Sequence, residues 1–177
     1  MRRKYHQIEL MKKDISLTRE EILLMLRQGK SNSRLFMNTA LIGVAFTVFA
    51  LLVSFQSGTL ISNEVMTMQL VLAIPFLLTS TLANSKLSYT LHERHWDTLG
   101  WCCFIIGYGF LLNVVGIFVF FLLGFTPAIL FFLVNIALML IYSFVQISYD
   151  KRNIERRLAK DIVFILILLV FGIAQIL

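Results

Sequence analysis

An all-α, polytopic membrane bundle of about five spanning helices, the fifth short, plus a short N-terminal cytoplasmic amphipathic helix, is the fold predicted for this 177-residue chain. Three observations predict it. Hydrophobic residues make up 58% of the sequence and mean hydropathy is +0.81, far from the composition of soluble domains. The 15% that is charged is segregated, since residues 35–63, 65–85, 98–149 and 162–177 contain no Asp, Glu, Lys or Arg. Runs of this length cross about 30 Å of hydrocarbon at about 1.5 Å per residue.

The chain divides into a basic cytoplasmic segment, 1–34, and a membrane bundle, 35–177. In the first, SLTREEILLMLRQGK carries a helix start at Thr18, where Thr18 and Glu21 form a capping box and Leu17 and Ile22 occupy the flanking staple positions. Gly29 is the expected stop. The resulting helix, 19–28, is too apolar at Ile22, Met25 and Leu26 for a free solvated rod. It lies on the bilayer or docks a cytoplasmic protein partner.

The spans are expected at 35–55, 65–84, 99–123, 127–148 and 162–177. Pro75 falls inside the second and should kink it unless neighbouring groups cover the freed carbonyl. Pro127 suits the first turn of the fourth, where a missing N–H is harmless. The fifth has only 16 residues and is marginal as a crossing. Before it, YDKRNIERRLAKD at 149–161 reads as a continuation of the fourth helix into the cytoplasm. There Lys151, Arg152, Arg156 and Arg157 are candidate contacts for anionic lipid or a partner.

Orientation follows from charge. Nine of the sixteen Lys and Arg precede residue 35, two lie between spans two and three, and five between spans four and five. Basic connections stay cytoplasmic, which predicts an inside N-terminus, an outside C-terminus and a cell membrane location, plasma or bacterial inner. No cleavable leader is expected, because a long polar segment precedes the first apolar run. The net charge of +6 is accounted for by this topology, and no nucleic-acid partner is expected.

TLHERHWDTLGW at 90–101 resembles a zinc-protease motif but has H-E-R-H spacing rather than H-E-x-x-H, and metal binding needs three or four convergent ligands. It reads as an interfacial turn carrying Trp96 and Trp101, with His92 and His95 as candidate pH sensors. Cys102 and Cys103 are adjacent, cannot form an ordinary disulfide with each other, and read as small apolar residues. The spans hold no ionisable relay, and the chain shows no phosphate loop and no nucleophile–base set. No enzyme activity and no cofactor are expected.

What the spans hold is uncharged polarity: Asn38 and Thr47 in the first, Asn113 in the third and Asn135 in the fourth. Such groups face another helix or a water-filled path. Gly100, Gly107, Gly109 and Gly116 allow close helix approach along the third span. Glu64, on the outer side, would form a ring of carboxylates in a ring-shaped oligomer.

With Arg34 before span one, His92-Glu93-Arg94 before span three and a long helical stretch after span four, the layout resembles that of the Orai calcium-channel subunits. It departs in having no acidic residue in span one and in adding a fifth span, and no functional residue is carried over. The expected function is a homo-oligomeric ion channel or pore-forming subunit. The alternative is a non-conducting membrane anchor or accessory subunit that recruits a cytoplasmic partner through the N-terminal helix and the 149–161 loop.

Overall fold

The computed structural model describes residues 19–54, 64–87, 93–149 and 154–177. They form five helices: α1 Arg19–Ser54, α2 Glu64–Leu87, α3 Glu93–Leu123, α4 Phe125–Tyr149 and α5 Ile154–Phe171, closed by a 3-10 turn at Ile173–Gln175. Each carries a stretch long and apolar enough to span a membrane. Among the described residues there is no strand, so the chain is an all-α multi-pass bundle.

Three boundaries differ from the sequence expectation. Gly29 does not end a helix, because α1 runs through it for 36 residues. A glycine terminates a helix by adopting a left-handed φ, and among the described glycines only Gly124 has a positive φ. An interior glycine costs about 1 kcal/mol relative to alanine. Just beyond it α1 is tied down, for Ser31 Oγ donates to the carbonyl of Asn84 at 2.6 Å. The second difference is α3, which begins at Glu93, so that Glu93 to Asp97 form its first turn rather than a loop. The third is the 149–161 stretch, of which α4 is described as far as Tyr149 and the residues from Ile154 onward belong to α5. The apolar window of that helix therefore covers 18 residues, Leu158–Gln175, or about 27 Å of rise.

The α3–α4 turn is the tightest. Gly124 adopts φ +91°, a conformation open to glycine at little cost, and its N–H reaches Phe120 O at 2.9 Å. Pro127 follows in the first turn of α4, and Pro75 lies on the exposed side of a helix that continues through it.

α3 is the central helix. It packs against each of the other four, with α1 and α2 to one side and α4 and α5 to the other. Half of its apolar window is buried, against 11% of that of α1. Its glycines supply the close approaches. A Cβ at Gly107 would stand 2.9 Å from Leu77 of α2, one at Gly109 2.9 Å from Ile167 of α5, and one at Gly116 2.2 Å from the ring of Phe132 of α4. The core built around these contacts includes Met66, Leu70, Val114, Ile117, Phe132 and Leu168.

Candidate functional site at the basic end of the bundle

The polar side chains gather where the N-terminal parts of α1, α3 and α5 meet the C-terminal parts of α2 and α4. Ser80 is the hub of the inner layer. Its hydroxyl accepts from Asn38 Nδ2 at 2.9 Å and donates to the carbonyl of Gly100 at 2.6 Å, joining α1, α2 and α3. One turn further along α2, Asn84 Nδ2 donates to Ser80 O at 2.8 Å. Arg34 Nη1 donates to Asn84 Oδ1 at 3.3 Å and to Asp97 Oδ1 at 2.7 Å. In α4 and α5, Ser143 donates to the Asp161 carboxylate. Lys160 Nζ stands 3.5 Å from the centroid of the Trp101 ring, close enough for cation–π attraction.

These groups rim a cleft of about 1000 Å³. Its rim carries Arg34, Asp97, Lys160 and Asp161, from α1, α3 and α5, with Tyr142 and Ser143 of α4. Deeper in, the lining is mostly apolar and aromatic, with the Asn135 amide among it. Tyr108 stacks on Phe104 and on Phe164 at centroid distances of 5.7 and 5.9 Å. Leu41 of α1 and Met139 of α4 form the walls. From Asp97 to Tyr108 along α3 the cleft runs about 16 Å, roughly half of a hydrocarbon thickness of about 30 Å.

The residues singled out from sequence fall in different places. Asn38 is buried against Ser80. Asn113 is fully buried near the middle of α3 and donates to Ile167 O of α5 at 3.1 Å. Both amides thus join helices of one chain. Thr47 is exposed and donates to its own helix at Gly43 O, 2.9 Å. Asn135 lines the cleft and donates to Phe131 O of its own helix at 2.8 Å. Glu64 is exposed at the start of α2, at the opposite end of that helix from Asn84. Met25 and His95 are exposed, each in the early part of its helix. His92, Lys151 and Arg152, like Thr18, lie outside the described residues, and the side chains of Ile22, Leu26, Arg156 and Arg157 are likewise not described. Among the described residues, no three His, Cys, Asp or Glu side chains cluster to hold a metal ion. Cys102 and Cys103 are free thiols, the first exposed and the second buried.

Sequence reasoning missed the pairing of Arg34 with Asp97 and of Asp161 with Ser143, and the hub at Ser80. One signal was there to find. Opposite charges stand at the same ends of spans one, three and five, and such charges face one another more cheaply than they face lipid. Another buried amide, Gln69, donates to Phe171 O at 2.8 Å and joins the end of α5 to α2. The carbonyl oxygens of Asn38, Gln69 and Asn113 receive no hydrogen bond from the described residues.

On the far side of α1, opposite Asn38 and Ala45, lies a seam at helical spacing: Gly43, Thr47, Ala50 and Ser54, all exposed. A Cβ built on Gly43 would meet nothing within 4 Å. Thr47 and Ser54 satisfy their hydroxyls on their own helix, at Gly43 O and Ala50 O. The chain matches no protein-family model, no curated protein and no solved structure.

Proposed function

We propose that this multi-pass membrane protein is a homo-oligomeric, pore-forming subunit, inserted with its basic end in the cytoplasm and assembled through α1. The observation that carries the reading is the uncovered face of α1. A helix that faces lipid presents large apolar side chains, whereas small and hydroxyl-bearing residues mark places where helices approach closely or line a path. In this chain the side of α1 turned away from its own bundle is the one holding Gly43, Thr47, Ala50 and Ser54. Several copies meeting along that seam would bring the Thr47 and Ser54 hydroxyls to a common axis. Glu64 would stand at the outer end of the assembly as a ring of carboxylates attracting cations.

A second reading, a non-conducting accessory subunit, is favoured by one specific observation. Asn38 and Asn113, the buried amides of spans one and three, are engaged within the chain rather than turned toward a partner. In that reading the α1 seam still joins copies or a partner helix, and no ion passes.

The test is cysteine cross-linking at Thr47→Cys in a Cys102→Ser/Cys103→Ala background, combined with ion flux in liposomes. Linked dimers together with flux that Thr47→Phe abolishes are the expected result. Linked dimers without flux under any voltage applied would select the non-conducting subunit. Neither cross-linking nor flux would refute assembly through α1.

A further inference from the structure

The cleft at the basic end of the bundle asks for an occupant. Met37, Leu138 and Tyr142 on its walls are exposed, so it opens toward the surroundings of the bundle at membrane depth. Below the rim the lining is mostly apolar and Asn135 donates within its own helix, so few partners remain there for water, which needs two to four. The walls change character along the spans, from the charged rim down to Phe104, Tyr108 and Phe164. That gradient matches an amphiphile lying parallel to the helices, head at the rim and chain in the depth.

The charges at the rim select the head. The cleft is lined by two cations, Arg34 and Lys160, and two carboxylates, Asp97 and Asp161. An anionic head would set its charge against both carboxylates, and a purely cationic one against Arg34 and Lys160. We infer that the cleft binds one phospholipid with a zwitterionic head, its phosphate toward Arg34 and Lys160, its ammonium toward Asp97 and Asp161, and one acyl chain along Met139 and Phe164. Arg34 engages Asp97 and Asn84 through Nη1, and a guanidinium carries five N–H donors in all. The phosphate therefore adds to the existing pair rather than displacing it. The inference rests neither on conduction nor on assembly through α1.

The test is native mass spectrometry of the full chain, stripped of lipid in detergent and then given phosphatidylethanolamine or phosphatidylglycerol with matched acyl chains. The expected result is one phosphatidylethanolamine retained per chain, with retention about tenfold higher than for phosphatidylglycerol. Met139→Trp, which fills the cleft, should abolish retention, and Lys160→Gln/Asp161→Asn should remove the preference between heads. A second measurement does not depend on the filling variant. In Trp96→Phe, the fluorescence of Trp101 should be quenched by phosphatidylethanolamine with brominated chains at substoichiometric lipid.

Equal retention of both lipids, a preference for phosphatidylglycerol, or retention unchanged by Met139→Trp would overturn the inference. A dimer that Met139→Trp dissolves, with no lipid retained, would instead assign the cleft to a second copy of the chain.

Discussion

Ser80 joins three helices with one hydroxyl, and its removal has a readable consequence. In Ser80→Ala the buried Asn38 amide loses its acceptor, which costs about 1–2 kcal/mol in a buried setting. Thermal melting in detergent should show that loss, and Asn38→Leu/Ser80→Ala should lose less than the sum of the two single variants. An additive pair would mean that the two residues act independently. Gly116 carries the opposite constraint, of space rather than polarity. A Cβ there would lie 2.2 Å from the Phe132 ring, so Gly116→Ala should destabilise by about 1–3 kcal/mol through overpacking. Gly116→Ala/Phe132→Leu should recover part of it. Polar and small residues within the spans were legible as helix contacts. Their partners were not, because a lone Asn or Gly encodes a requirement and says nothing of the side chain that meets it.

α1 separates two accounts of Gly29. Inside a helix and with open space around a built Cβ, Gly29→Ala should stabilise by about 0.5–1 kcal/mol. Were Gly29 a left-handed helix stop, the same change would destabilise, so the sign of the melting shift decides. The middle of α1 and the first turns of α3 are coupled by Arg34 and Asp97, whose side chains are 25% and 29% exposed. A double-mutant cycle of Arg34→Gln and Asp97→Asn should return a coupling of about 1 kcal/mol, modest because water screens a partly exposed pair. No coupling would mean that the pair only decorates the surface. At this level the number of spans was readable and several boundaries were not. Glu93 to Asp97 look like loop because they are charged, and residues 154–161 read as a tail of the fourth helix, yet in the structure they form the first turns of α3 and α5. Charge at a helix end is met there by another helix: Asp97 by Arg34, Lys160 by Trp101 and Asp161 by Ser143.

Taken as one body, the described residues bring Arg34, Asp97, Lys160 and Asp161 to one end of the bundle and leave α1 largely uncovered. The proposed topology, with the basic end inside, predicts that Glu64→Cys in a background lacking Cys102 and Cys103 reacts with a membrane-impermeant maleimide on intact cells. Asn32→Cys should react only after permeabilisation. The reverse pattern would invert the proposed topology. Membrane residence, helix number and an all-α fold are already present in the chain order, because hydrocarbon admits only backbone whose hydrogen bonds are closed locally, and long uncharged runs meet that demand by themselves. The rotation of each helix about its axis is another matter. Spans apolar on nearly every side do not declare which face turns inward, since lipid and protein interior are similarly apolar. Packing made that choice. It set Asn38 on Ser80 and Asn113 on α5, gathered Arg34, Asp97, Lys160 and Asp161 around one cleft, and turned the small-residue seam of α1 outward.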